Sequence, residues 1–376
     1  MKDEFRYLRF ARHRIYQVLS LINRVIWMFF SVEEESTQLP PQYTNRPYGS
    51  KGVLVFRDFN GSNMHALENL RLNLSSVLEA RGMSLQTKVR EGNVFLGNTA
   101  WLYKQMIEIM PKILFIADPQ LIGLPGPIGM FQCLKLAKRA KRMDCQLVLI
   151  LFDLPDPQGS LFGSILSRLG TRVVSICNSP SECQQFSNIR NAVGPAGEIC
   201  HQLETSMPIR KLNERKIDLH LPRPSYSPRK ELVEKMIPIL KEKGLKVSVG
   251  GTHKNYSDYV DELFNTKIVV VTNSLISGCV GKWPLPDGPK SHVVSYNYEA
   301  LRAGALLMSE ETLPLNDVFI DGLEYLSFKN YNDLVEKITF FLQNEVLAEQ
   351  IASAGNRKYI ELIEKQAILN SVIDRM

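Results

Sequence analysis

The feature that most constrains this chain is a series of short, nearly unbroken apolar runs separated by stretches of helix length. The runs are Gly52–Phe59, Ile113–Ala117, Gln146–Phe152, Arg172–Cys177, Lys246–Val249, Lys267–Thr272 and Ala305–Ser309. A strand apolar on both faces needs cover on both faces. When helices lie between such strands, the result is a parallel sheet with helices on either side. The intervening segments read as helices over 64–81, 129–142, 229–243, 256–264, 296–303 and 331–343, with a terminal helical stretch at 345–374. In the first, Leu67, Leu70, Leu74 and Leu78 share one face.

With 376 residues the chain is long for one domain and comfortable for two. The proline-rich stretch 203–228 interrupts the alternation and marks the boundary. We therefore expect a Rossmann-like domain over 51–210, a second over 211–360 and a C-terminal helix over 361–376. Residues 1–50 read as a basic amphipathic helix followed by a linker. Lys2, Arg6, Arg9, Arg12 and Arg14 precede an apolar stretch, Ile15 to Val32, that contains Arg24. A central arginine argues against a spanning helix, and Glu33-Glu34-Glu35 offers no signal-peptide cleavage site. Such a helix lies on an anionic membrane surface or packs on the protein itself, and the sequence leaves both open.

Composition narrows the class further. The chain is 44% hydrophobic and 22% charged, as ordinary globular proteins are, with a net charge of +6. No basic stripe interleaved with aromatics points to nucleic acid. The six cysteines form no C-x-x-C pair and the six histidines are dispersed. That pattern suits reduced thiols in the cytoplasm and no bound metal. Gly123-Leu-Pro-Gly126-Pro-Ile-Gly129 is not the G-x-G-x-x-G fingerprint, which disfavours a nicotinamide oxidoreductase. The helix after it carries Lys135, Lys138, Arg139, Lys141 and Arg142 with no acid before Asp144. That is either a solvated face or a contact for anionic lipid.

The stretch from Tyr296 to Phe328 is the richest in candidate chemistry. Its helix carries Glu299 in the first turn, where backbone N–H groups favour an anion such as a diphosphate. A carboxylate there can accept the two hydroxyls of a ribose, or simply complement the helix dipole. Gly250-Gly251-Thr252-His253 follows a strand, where missing side chains let a backbone approach a ligand. Asp58, Asp153 and Asp156 follow strands in the first domain, and open α/β sheets bind ligands at that edge. Asp153, Asp58 and His65 are the candidates for a general base.

The same stretch resembles the C-terminal domain of GT-B glycosyltransferases, especially the group similar to spore maturation protein B. The resemblance rests on Tyr298-Glu299-Ala300-Leu301, Gly304-Ala305, Leu306-Leu307 and Phe319-Ile320-Asp321-Gly322-Leu323-Glu324. It continues through Asp333-Leu334, Phe341-Leu342-Gln343-Asn344 and Ile351-Ala352-Ser353-Ala354-Gly355. It implies two Rossmann-like domains facing across a cleft and a nucleotide-sugar donor held by the C-terminal domain. It implies a carbohydrate, lipid or protein acceptor on the N-terminal domain, with no metal and no cofactor. By the same resemblance Glu299 holds the donor ribose, and Tyr298, Arg229, Gly250, Gly251 and His253 border the donor; Arg229 can equally be a solvated helix-start charge, and Lys290 and His292 are donor candidates or solvated loop residues. Two positions depart from the group: Tyr296 stands where it often has Arg, and Ser291 where many retaining enzymes have a second Glu. The diphosphate's cation is then sought among Lys290, Lys282, His292 and Arg229. The departures also keep open a non-catalytic nucleotide- or sugar-binding protein of the same architecture.

Overall fold

The computed structural model describes residues 51–57, 64–90, 98–117, 121–122, 127–151, 157–175, 192–193, 207–222, 229–250, 256–272, 279–280, 283–284, 293–365, 370 and 373–374. The N-terminal helix and linker expected over 1–50 lie outside these residues. The chain divides into two compact units.

The described part of the first unit runs from Lys51 to Val193 and takes in residues 370, 373 and 374. Its strands are β1 (Lys51–Arg57), β2 (Ser84–Arg90), β3 (Ile113–Ile116), β4 (Gln146–Leu151), β5 (Arg172–Ser175) and β6 (Ala192–Val193). All neighbours are parallel, in the order β2-β1-β3-β4-β5-β6. The connecting helices are α1 (Met64–Glu79), α2 (Asn98–Ile109), α3 (Pro127–Arg142) and α4 (Pro157–Arg168). Ile113 to Ile116 and Leu147 to Leu151 are buried throughout, as strands covered on both faces must be. Cys133 and Cys145 are free and buried. Burial pushes the first thiol far up and the second to about 12, so both stay neutral and inert. Arg81, after α1, closes this unit: it donates to Asp374 at 3.0 Å and to Asn370 at 2.8 Å.

The second unit repeats the plan. Its strands are β7 (Ile217–Leu221), β8 (Val247–Val249), β9 (Thr266–Val271), a two-residue antiparallel pair β10 (Cys279–Val280) and β11 (Trp283–Pro284), then β12 (Leu306–Glu310) and β13 (Leu326–Phe328). The parallel sheet runs β13-β12-β9-β7-β8. Its helices are α5 (Arg229–Glu242), α6 (Tyr256–Phe264), α7 (Ser295–Arg302), α8 (Leu313–Asn316), α9 (Tyr331–Gln343) and α10 (Glu345–Lys365). Alternation along the strands sorts the two faces. Leu219, Leu221, Ile268, Val270, Leu306, Met308, Leu326 and Phe328 form one core with α5, α9 and the first half of α10. The intervening positions face α6 and α7: His220 meets Glu262 of α6, and Ser309 donates to Asn297 of α7 at 2.9 Å.

Helix α7 has only eight residues, and its stability comes from outside itself. At its C-terminal end the buried Arg215 donates to the carbonyls of Ala303 (3.0 Å) and Gly304 (2.7 Å). Asn356 of α10 donates to those of Leu301 (2.8 Å) and Arg302 (3.1 Å). These are the carbonyls that a helix leaves without internal partners, at the end where a cation is favoured. Burial pulls Arg215 down to about 10, still cationic at neutral pH. The chain leaves α7 through Gly304 at φ +62°, a left-handed position, with Ile209 and Arg215 packed where a side chain would stand. The Asp321-Gly322 turn is also self-contained. Asp321 accepts from the Ser327 amide at 2.7 Å, Glu324 accepts from the Ile320 amide at 2.9 Å, and Phe319 packs on Tyr298. The phrase quoted above for its family likeness is thus also a structural one.

Gly355 is the closest approach in this assembly. A Cβ there would stand 2.1 Å from the Glu324 carbonyl oxygen and 2.7 Å from Leu301 Cδ2. Gly355→Ala is therefore expected to destabilise the protein despite alanine's helix propensity. Overpacking costs about 1–3 kcal/mol against roughly 1 kcal/mol gained. A melting temperature equal to or above wild type in a thermal denaturation scan would refute this packing account.

Candidate functional site

In the second sheet the strand order reverses between β7 and β9, and open α/β sheets bind ligands beside the carboxyl ends of strands at such a point. Polar groups gather there on the α6–α7 side. His220 is a polar residue between Leu219 and Leu221 in a buried strand, and it is fully inaccessible. Its Nδ1 lies 2.8 Å from Ser248 Oγ of β8 and 2.7 Å from Glu262 Oε1. An ionised carboxylate only accepts, so this contact places the ring proton on Nδ1. The imidazole rests against Tyr259 and Tyr296, with centroids 6.4 and 5.6 Å away, and these two phenols stack on each other at 6.2 Å. Tyr259 donates through its hydroxyl to Glu299 Oε2.

Helical spacing explains the assembly. Tyr259 and Glu262 lie three residues apart on α6, and Tyr296 and Glu299 three apart on α7, so each pair shares a face. The two helices present these faces to each other across β7. Glu299 is only 6% exposed, its charge met by the Tyr259 hydroxyl. Burial first, and the Glu299 charge next, push the Tyr259 phenol well above its usual range. The same two causes act on Tyr296, and there the positive charge of Arg229 opposes them. The charge of Arg229, the first residue of α5, is thus felt at Tyr296.

The sequence-derived candidates fall in different places. Glu299 belongs to this cluster, and the charge of Arg229 acts on its Tyr296. Gly250 is in the turn after β8, its amide donating to Leu221 at 2.9 Å, at the same edge of the sheet. Tyr298 points the other way: it is 1% exposed and packs on Phe319 and Tyr359, so its ring supports α7 from behind. Gly251, His253, Lys282, Lys290 and His292 lie outside the described residues, as do Asp58, Asp153 and Asp156. His65 sits in α1, and its side chain is outside the description. The sequence reading missed His220, Tyr259 and Glu262. A histidine interrupting an apolar strand was the available signal.

Residues 225–366 match the model of a family described as glycosyl transferase-like, a stretch that contains the whole cluster except His220. A comparison with curated protein sequences found no match. Among solved structures, a glycosyltransferase from Rickettsia africae is similar with a TM-score of 0.54 at 12% identity, over 87% of this chain and 98% of that one. Sucrose-phosphate synthase from Thermosynechococcus elongatus gives 0.53 at 11%, over 86% and 98%. Anabaena HepE in complex with UDP gives 0.51 at 11%, over 87% and 100%. The fold is of the GT-B type. At these identities the structural likeness speaks of the fold alone.

The buried phenols make a measurable signature. Exposed tyrosines ionise near their usual value of 10.0, whereas Tyr259 and Tyr296 stay protonated well above it. Above about pH 10 the unfolded chain loses protons that the folded one keeps. Stability then falls as pH rises, by about 1.4 kcal/mol per unit for each such group. Tyr259→Phe is expected to make that alkaline slope shallower. Denaturant midpoints compared between pH 9 and pH 11 check this, and an unchanged slope would contradict the burial of Tyr259.

Proposed function

We propose that this chain is a glycosyltransferase that takes a sugar from a nucleotide-sugar, with the donor on the second unit around Glu299. The observation that carries the reading is the buried Glu299 carboxylate, held by Tyr259 at the edge where the strand order reverses. The family model matched over 225–366 supports the chemistry, since it covers Glu299 and Tyr259. The finer likeness to the spore maturation protein B group, and a hexosyl or related sugar as cargo, belong to this proposal. UDP is the first nucleotide to test, because HepE was solved in complex with it.

In this scheme Glu299 accepts from the donor ribose while Tyr259 keeps the carboxylate oriented. Arg229 stands against the diphosphate and opposes the charge that grows on it as the glycosidic bond breaks. The acceptor, a carbohydrate, lipid or protein bound by the first unit, attacks the anomeric carbon through a hydroxyl oxygen. The C–O bond to the diphosphate breaks, and the nucleoside diphosphate leaves with the electron pair. The acceptor's proton passes to a base, for which Asp153, Asp58 and His65 are the candidates. The scheme uses no metal and no cofactor.

A charge-assisted hydrogen bond is worth about 1.5–3 kcal/mol, so Glu299→Ala should weaken nucleotide-sugar binding by about 10- to 150-fold. Glu299→Gln should do less harm, since its amide oxygen still accepts. Calorimetric titration with UDP-sugars measures both, and wild-type affinity in the alanine variant would remove Glu299 from the site. For the metal question, transfer activity is expected to survive EDTA. Loss of activity on chelation, with recovery on adding Mn²⁺ or Mg²⁺, would reject a metal-independent reaction.

A further inference from the structure

Helix α3 of the first unit carries a surface that the donor site does not explain. Its inward positions are Cys133, Leu136, Ala137 and Ala140, all in the core of that unit. At 100° per residue the direction opposite this face is held by residues 131, 135, 138 and 142. Those residues are Phe131, Lys135, Lys138 and Arg142, and all four are exposed. Phe131 is 57% exposed, and Leu134 beside it 38%. Lys141 widens the ridge, and no acidic residue occurs anywhere in the helix. The Lys135 ammonium stands 4.4 Å from the Phe131 ring centre, so both ends of this contact face outward. Among the described residues, Asp144, the first acid after the helix, pairs with Lys112, and Glu108 of α2 pairs with Lys104.

An aromatic side chain exposed at one end of a straight cationic ridge is costly in water and matches one partner chemistry well. A bilayer with anionic headgroups takes the ring into its interface and the cations at its phosphates. A ridge from residue 131 to 142 spans about 16 Å, so it can lie flat on such a plane. No described helix is long and apolar enough to cross a membrane, which fits a surface contact. We infer that α3 docks the first unit on an anionic lipid surface through Phe131, Leu134, Lys135, Lys138 and Arg142. Helix α3 belongs to the first unit, whereas the proposed donor site belongs to the second.

The test is sedimentation of the full chain with vesicles of phosphatidylcholine, with and without phosphatidylglycerol. The wild type should bind the anionic vesicles more tightly, and added salt should weaken that binding. Lys135→Glu/Lys138→Glu/Arg142→Glu should lower partitioning at least tenfold. The same variant should keep the wild-type melting temperature and wild-type donor affinity. Phe131→Trp in a chain with Trp27, Trp101 and Trp283 changed to Phe provides a second readout, since the emission of its one tryptophan should shift to the blue on anionic vesicles and not on neutral ones. Equal vesicle binding by wild type and the charge-reversed variant would overturn the proposal and assign the contact to residues 1–32. Capture of the wild type by RNA with no vesicle binding would overturn it in favour of nucleic acid.

Discussion

The second unit depends on the capture of four backbone carbonyls at the end of α7. Arg215 holds those of Ala303 and Gly304, and Asn356 those of Leu301 and Arg302. A helix of two turns has little stability of its own. Here its exit is tied to the strand side through Arg215 and to α10 through Asn356. Arg215 also donates to Thr266 at the start of β9, so one guanidinium joins three segments of chain. Gly304 and Gly355 are glycine because neighbouring atoms fill the space where a side chain would be. The position of Glu299 is therefore fixed from the opposite end of its helix.

At the front of α7 the same helix meets a different kind of constraint. Its N-terminal cap, Val294, offers no side-chain hydrogen bond. The polar groups near it are instead paired across to α6: Tyr259 with Glu299, and Glu262 with His220. Each of these is a buried or half-buried group satisfied by a partner on another element, which ties α6 to both α7 and β7. The arrangement fixes the Glu299 carboxylate, so in its proposed role the side chain would spend little affinity on ordering itself.

How much of this was legible in the sequence depended on burial. The strands covered on both faces, such as Gln146–Leu151 and Thr266–Val271, stood out as apolar runs, and α9 was expected over the residues it occupies. Strand β2, Ser-Leu-Gln-Thr-Lys-Val-Arg, was not read, because as the outer strand of its sheet it carries polar residues at alternate positions. Helices α2 and α4 were also missed. Glu299 was found through resemblance, since spacing alone leaves a dipole-complementing role equally good. Tyr259 offered no local signal, and His220 only that of a histidine interrupting an apolar strand. Their meaning lies in contacts between segments 40 residues or more apart, which no local pattern records. Tyr298 shows the opposite hazard: it adjoins Glu299 in sequence, yet a helix turns neighbours 100° apart, and it faces the core.

The contact of Arg81 with Asn370 and Asp374 has a consequence for how the protein is made. Its partners come 289 and 293 residues later in the chain. A ribosome adding 5–20 residues per second needs roughly 15 s to a minute to deliver them. During that interval the Val77 carbonyl, four residues earlier, is within this arginine's reach, but its two distant partners do not yet exist. The second unit is synthesised and free to fold in the meantime. Residues 370 and 374 belong to the first unit, so the contacts that Arg81 makes with them can form only after the whole second unit has been synthesised.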